Sequence, residues 1–316
     1  MKTLVVGSTG VLGRRVVALL VAAGHEVHAL ARSETRAALV RELGASPVGA
    51  DLFDPLAVRA LVAGHDVVCN LATHIPPTSR MASPGAWAEN DKIRTEVSRN
   101  LVDGVLAEHG ARAGAAGKPV RYVQESIAFL YRDGRDTWLD ESSPIDPVAN
   151  LRSATVAESN ATRVTAAGAD AVILRFAAFY GPDSEATLAM IRLAKHRIAM
   201  GAGPDGYMSS ITTDDAAAAV VASLSAPAGL YNVGDDEPVT RRDFFGALAG
   251  ALGVRPPFIA PAGLAKLGGT KASLLIRSQR VSNRSFVQAT GWRPVQSSVR
   301  EGWPFVVTAV ADTSPP

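Results

Sequence analysis

The chain has 316 residues, 47% of them hydrophobic and 20% charged, with a formal net charge of +2. This is the profile of a globular protein with a full apolar core, and so small a net charge gives no electrostatic case for nucleic acid as a partner. The single cysteine, Cys69, excludes an internal disulfide and reads as a buried core thiol. With no apolar run long enough for a bilayer, no membrane partner is expected and the expected compartment is the cytoplasm.

In chain order, an apolar strand over 3–6 runs straight into the segment Gly7, Ser8, Thr9, Gly10, Val11, Leu12, Gly13 and then into a helix over 11–23 carrying Val11, Leu12, Val16, Val17 and Leu20. A strand that breaks into closely spaced glycines and restarts as a helix can seat a dinucleotide pyrophosphate. The first glycine makes the turn, the second admits phosphate oxygens, the third lets helix approach strand, and the free N–H groups of the helix start face the anion. Further strands are predicted over 27–30, 67–71, 120–123 and 171–176, with helices over 34–43, 56–63, 88–108 and 151–167 between them. That alternation predicts an α/β fold, a doubly wound parallel-sheet Rossmann domain over 1–180.

Beyond 176 the pattern loosens, with joins rich in Pro and Gly at 180–182, 201–206 and 255–261. Short helices over 214–225 and 241–252 flank a strand over 229–233. Residues 181–316 are therefore expected to form a smaller C-terminal α/β substrate lobe, some of whose segments can return to the main sheet. Only the tail 311–316 reads as disordered. Between Phe244 and Arg300 there is no Asp or Glu, while Arg255, Lys266, Lys271, Arg277, Arg280, Arg284, Arg293 and Arg300 are basic. Either this lobe attracts an anionic ligand, or its cations face acidic neighbours such as Asp235, Asp236 and Glu237; the second is expected.

The layout resembles the extended short-chain dehydrogenase/reductase superfamily, the NAD(P)-dependent epimerase/dehydratase group, over nearly the whole chain. The stations match in order: the glycine motif; Asp51 and Leu52, like the Asp-Leu pair that contacts adenine; and Asn70, Leu71, Ala72 and Thr73, like the segment lining the cofactor. They continue with Arg175 followed by Tyr180-Gly181-Pro182, with 210–215, and with Tyr231-Asn232-Val233. The resemblance implies a bound nicotinamide dinucleotide. An NAD-preferring site places a carboxylate at the end of the second strand, where this chain has Arg32 and Ser33. A guanidinium fork suits a 2′-phosphate, and Arg14 could close its other side. NADP(H) is therefore expected to be preferred, with NAD(H) possible.

Hydride-transferring members of the family use a serine with a Tyr-x-x-x-Lys pair. None of the five tyrosines here has a lysine four residues on. Counting back from Glu158, the tyrosine place falls on Asn150 or Leu151 and the lysine place on Ala154 or Thr155. Ser126 stands just after the strand over 120–123, near the family's serine. The candidates to replace the tyrosine are Tyr131, Tyr180 and His74, the last an imidazole able to exchange protons near neutrality. No cluster has metal-ligand spacing.

The resulting expectation is an NADP(H)-dependent oxidoreductase or epimerase-like enzyme for a small carbonyl or alcohol substrate, with a non-standard proton donor. The alternatives are a non-redox lyase, isomerase or cyclase with a structural cofactor, or a nucleotide-sensing regulator or accessory protein. The recurrence of Ile93, Val97, Leu101 and Val105 at i, i+4 suggests a homodimer through the helices 88–108 and 151–167.

Overall fold

The computed structural model describes residues 1–77, 80, 83–114, 118–263 and 276–313. Its centre is a sheet of seven strands: β1 (Lys2–Val6), β2 (Glu26–Leu30), β3 (Ser46–Val48), β4 (Val67–Asn70), β5 (Arg121–Ile127), β6 (Asp170–Phe176) and β7 (Gly229–Val233). The spatial order is β7-β6-β5-β4-β1-β2-β3 and every pairing is parallel. Strand order reverses between β1 and β4. Ligands of such sheets bind at that reversal, above the carboxyl ends of the strands.

Alternation along the strands sorts the core into two layers. Val5, Cys69, Val123 and Leu174 face helix α1 (Val11–Ala22), while Leu4, Val68, Tyr122 and Ile173 face the opposite side. After α2 (Glu34–Glu42), the second layer is closed by α3 (Pro55–Val62), α5 (Ser98–Ala113) and α6 (Arg152–Ala166). The segment leading into α5 is not one continuous α-helix: α4 (Ala88–Lys92) passes through a π-helical turn, Ile93–Val97. Ile93, Val97, Leu101 and Val105 are all buried in the second layer. The stripe read as a pairing surface therefore covers the chain's own sheet. On the outer side of these helices, Val156 of α6 is exposed and Arg163 pairs with Asp103.

The lobe is organised around a third apolar cluster. There α7 (Glu185–Lys195) and α9 (Arg241–Ala251) meet Tyr180 and Trp303, whereas α8 (Thr213–Ala222) packs on α1 in the first layer. Two further helices, α10 (Arg284–Thr290) and α11 (Val299–Thr313), complete the described chain, so 311–313 are helical; 314–316 lie outside the described residues. Strand β7 crosses the expected boundary at 180. It lies beside β6 as the outer strand of the main sheet, so the lobe is interleaved with the Rossmann unit.

The basic stretch is largely neutralised within the fold. Arg277 pairs with Asp146, Arg293 with Asp236 and Arg300 with Glu237, while Arg280 stacks on Trp138 and Tyr207; Lys266 and Lys271 lie outside the described residues. Cys69 is fully buried, and burial pushes its thiol up to about 12, as befits an inert core residue.

Candidate active site

The glycine turn lies at the carboxyl end of β1, beside the reversal of strand order. Gly7 has φ +83°, and a Cβ there would stand 2.6 Å from the Leu71 carbonyl, so only glycine fits between β1 and the end of β4. At Gly13 a Cβ would collide with the Gly7 carbonyl. Gly10 differs: its only close neighbour would be the Gly7 oxygen at 3.4 Å, so open space lies before it. Gly10 is the N-cap of α1, and no side chain caps that helix. A helix start left open behind a side-chain-free turn fits a pyrophosphate.

The neighbouring side chains support this seat rather than fill it. Ser8 is buried and donates to the Leu30 carbonyl at 2.6 Å, tying the turn to the end of β2; Leu12 points into the core, while Thr9 and Val11 are half-buried at the rim. Asn70 donates to Tyr122 at 3.2 Å and Gln124 at 3.1 Å, and accepts from the Ala72 N–H at 3.3 Å. It therefore fixes the end of β4, leaving the chain from Leu71 through Ala72 to Thr73 along the crevice. Asp51 accepts from the Phe53 N–H, and the Leu52 carbonyl accepts from Asn100.

Arg32 and Ser33 are both exposed at the start of α2. The Ser33 oxygen accepts from the Arg36 N–H, which leaves its hydrogen free to donate. Arg14 is committed differently from the sequence expectation. It binds Asp183, as does Arg15, which also reaches Asp214 at 2.6 Å. Both arginines clamp α1 to the loop after Tyr180, and Arg15 also to α8, so the 2′-phosphate reading rests on Arg32 and Ser33.

The ends of β5 and α6 are closed. Ser126 is fully buried and donates to Glu158 at 2.6 Å, and Glu158 is held by two bonds from Arg175, at 2.8 and 2.7 Å. The Arg175 guanidinium lies 5.0 Å from the ring centre of Tyr131, whose hydroxyl donates to Asn232 at 2.8 Å. Ser126 thus spends its hydrogen on a carboxylate and has none for a substrate oxygen. Tyr131 is fully buried, and burial pushes its phenol above the ordinary value. Tyr180 lies in the third cluster between Trp303 and Phe244, its hydroxyl unpartnered and its acidity suppressed by burial and then by Asp235. The structure does not bring Ser126, Tyr131 and Tyr180 together around an accessible space.

His74 is the exception. It lies on the loop after β4, with its backbone N–H on Asn90 and its half-exposed ring 3.5 Å from Glu89. Of the two pairs of places counted for the tyrosine and lysine, Asn150 with Ala154 and Leu151 with Thr155, Leu151 and Ala154 pack with Trp87 and Leu130 in a small apolar cluster and the Thr155 hydroxyl donates to the Arg152 carbonyl. The sequence reading missed a neighbouring feature: the buried pair of Arg94 and Glu125, whose one bonded nitrogen lies 3.0 Å from each carboxylate oxygen. The available signal was the polar break Gln124-Glu125-Ser126 inside an otherwise apolar strand.

The model of the NAD dependent epimerase/dehydratase family matches residues 3–234. A Streptomyces protein named 3-diazoavenalumate denitrifying reductase is 32% identical over 96% of this chain and 99% of its own. A Stigmatella aurantiaca protein, named as a ketoreductase of a farnesylated dihydroquinoline oxide, is 29% identical over 89% of this chain and 83% of its own. Among solved structures, a human epimerase family protein with NADPH superposes with TM-score 0.70 at 20% identity over 98% of this chain and 99% of its own. The Thermus thermophilus UDP-glucose 4-epimerase complex with NAD gives 0.76 at 22% identity over 99% of this chain and 100% of its own.

The chain belongs to the NAD dependent epimerase/dehydratase family. It is an oxidoreductase-like enzyme on the Rossmann framework.

Proposed function

We propose that the protein is an NADP(H)-dependent reductase of a small electrophilic substrate such as a carbonyl compound, with His74 as its proton source in place of a tyrosine. The observation behind this reading is that Ser126, Tyr131 and Tyr180 are buried while His74 is half-exposed at the crevice. Gly7, Gly10 and Gly13 would hold the pyrophosphate, and Arg32 with Ser33 would hold the 2′-phosphate. The dinucleotide, when bound, supplies the hydride. The chain then has to orient it, exclude water and provide a proton, and Glu89 lies 3.5 Å from the His74 ring.

A second reading dispenses with the proton. It is favoured by the Streptomyces relative, whose name specifies a diazo substrate and a denitrifying reduction. An arenediazonium that takes up one hydride, with its two electrons, gives the arene and dinitrogen, so no side chain has to donate a proton. The apolar packing of Leu151 and Ala154 is compatible with such chemistry.

One experiment separates the readings: NADPH oxidation with a carbonyl panel and with an arenediazonium, at several pH values, by wild type and His74→Ala. The first reading expects carbonyl turnover that drops about a hundredfold in the variant, the usual loss for an acid–base group. The second expects diazonium turnover that is flat with pH and indifferent to His74→Ala. Bound NADPH that no member of either class oxidises would contradict both.

A further inference from the structure

Arg94 is a cation in an unusual position. Its side chain is 3% exposed, it lies in the π-helical turn between α4 and α5, and it reaches Glu125 at the end of β5. Single π-turns inside helices concentrate at functional sites. Only one guanidinium nitrogen serves Glu125. The Nε–H is buried with no partner, in a protein whose buried donors are otherwise mostly satisfied.

Its location follows from the packing of the two helices. Asn160 of α6 donates to the Thr95 carbonyl at 3.3 Å and to Ser98 at 2.8 Å. Arg94 stands four residues before Ser98, on the same helix face and nearer the carboxyl edge of the sheet, and Ala157 and Ala154 stand one and nearly two turns before Asn160. The resemblance puts the family's lysine at Ala154 or Thr155, and Ala154 is packed among apolar side chains. Two more buried polar atoms without partners, Asp91 Oδ1 and Ser153 Oγ, lie on the same stretches of the two helices.

We propose that Arg94, seated by Glu125, is the cation that holds the nicotinamide-ribose end of the bound dinucleotide, acting from the helix beside the one on which the family carries its lysine. The proposal rests on the NADP(H) reading above. Glu125 holds the guanidinium by one nitrogen and leaves the Nε–H as the donor to the ribose. A lysine on α6 is then unnecessary, and the slot can close over Ala154.

The test must separate a cofactor contact from structural support. Removing Arg94 alone strands Glu125 as a buried charge, whereas replacing both partners by apolar groups of similar size is commonly tolerated. The informative variant is therefore Arg94→Met/Glu125→Met, with Arg94→Lys as the conservative partner. Calorimetry measures the affinity for NADPH and for adenosine 2′,5′-bisphosphate, which has the adenine half of the dinucleotide and lacks the nicotinamide half.

The expected result is a double variant that melts near the wild type and binds the bisphosphate normally. It should bind NADPH about tenfold or more weakly, the loss of one hydrogen bond to a charged donor. Arg94→Lys should recover part of that loss. Unchanged NADPH affinity in the double variant would overturn the proposal. Equal weakening of both ligands would overturn it too, because the pair would then be supporting the crevice as a whole. A wild type that binds neither ligand would instead remove the NADP(H) reading itself.

Discussion

At the start of α1 the backbone presents an uncapped helix end, and the glycine before it leaves open space. Some strands away, at the ends of β5 and α6, the opposite holds: Ser126, Glu158, Arg175, Tyr131 and Asn232 satisfy one another in a buried chain of contacts. Both regions lie at the carboxyl edge of the sheet, in a fold whose solved neighbours include complexes with NADPH and NAD. The first is left open, while the second holds strands and helix together. On the proposed reading, the glycine turn keeps a cofactor seat while neighbouring positions have become part of the framework.

Substitution at the glycines gives the largest effects and separates seat from scaffold. Gly10→Val should fold normally, because its Cβ meets only the Gly7 oxygen at 3.4 Å. It should also weaken NADPH binding by about a hundredfold or more, roughly 2.7 kcal/mol, by occupying the phosphate approach. Gly13→Ala should instead lower the melting temperature, since its Cβ collides with backbone. Calorimetry and thermal melts on both variants check the contrast; normal NADPH binding by Gly10→Val would reduce the motif to a tight turn.

Next comes the closed region. Glu158→Ala leaves Arg175 buried without its partner and should cost about 3–5 kcal/mol of stability, read by denaturant unfolding. Ser126→Ala removes one hydrogen bond and should cost only about 1 kcal/mol. If Glu158→Ala were as stable as the wild type, the buried chain would not be the framework described.

Arg32→Asp should reverse the cofactor preference, weakening NADPH and strengthening NADH in paired titrations. Equal wild-type affinity for the two would remove the role assigned to Arg32.

The smallest expected effect lies in the lobe. Asp235 is buried, bonded by Ser210 at 3.0 Å, and burial followed by the nearby Asp236 and Glu237 holds its carboxyl protonated well above the usual range. Because its pKa is raised in the fold, the stability it gives is full below about pH 4 and is lost as pH rises through the raised value. Asp235→Asn keeps an acceptor for Ser210 without ionising, so its melting temperature should fall less than that of the wild type as pH is raised from about 4. Parallel slopes for the two proteins would exclude Asp235 as a titrating group.

What the sequence made legible follows the same division. The glycine turn could be read because its requirements are local: a positive φ at Gly7 and close backbone approaches fall within a dozen residues. The sheet could be read from apolar runs such as 67–71, although Ser46–Val48 was hidden by its shortness and Pro47. The return of Gly229–Val233 to the main sheet was left open, because a lone strand carries no address. The closed region was illegible for a deeper reason. Ser126 and Glu158 are 32 residues apart, and Tyr131 and Asn232 are 101 apart; nothing in a serine or a tyrosine says that its hydroxyl is already committed. Arg14 likewise gave no sign that Asp183 would claim it.

The central claim is that the residues around Ser126 are framework while the glycine turn serves the reaction. Single-turnover oxidation of bound NADPH by Ser126→Ala and Tyr131→Phe, on a carbonyl or diazonium substrate that the wild type accepts, tests it most directly. The expected result is a rate within about twofold of wild type for both, because neither hydroxyl reaches the substrate. A fall of about a hundredfold in either, the ordinary loss of an acid–base group, would contradict it.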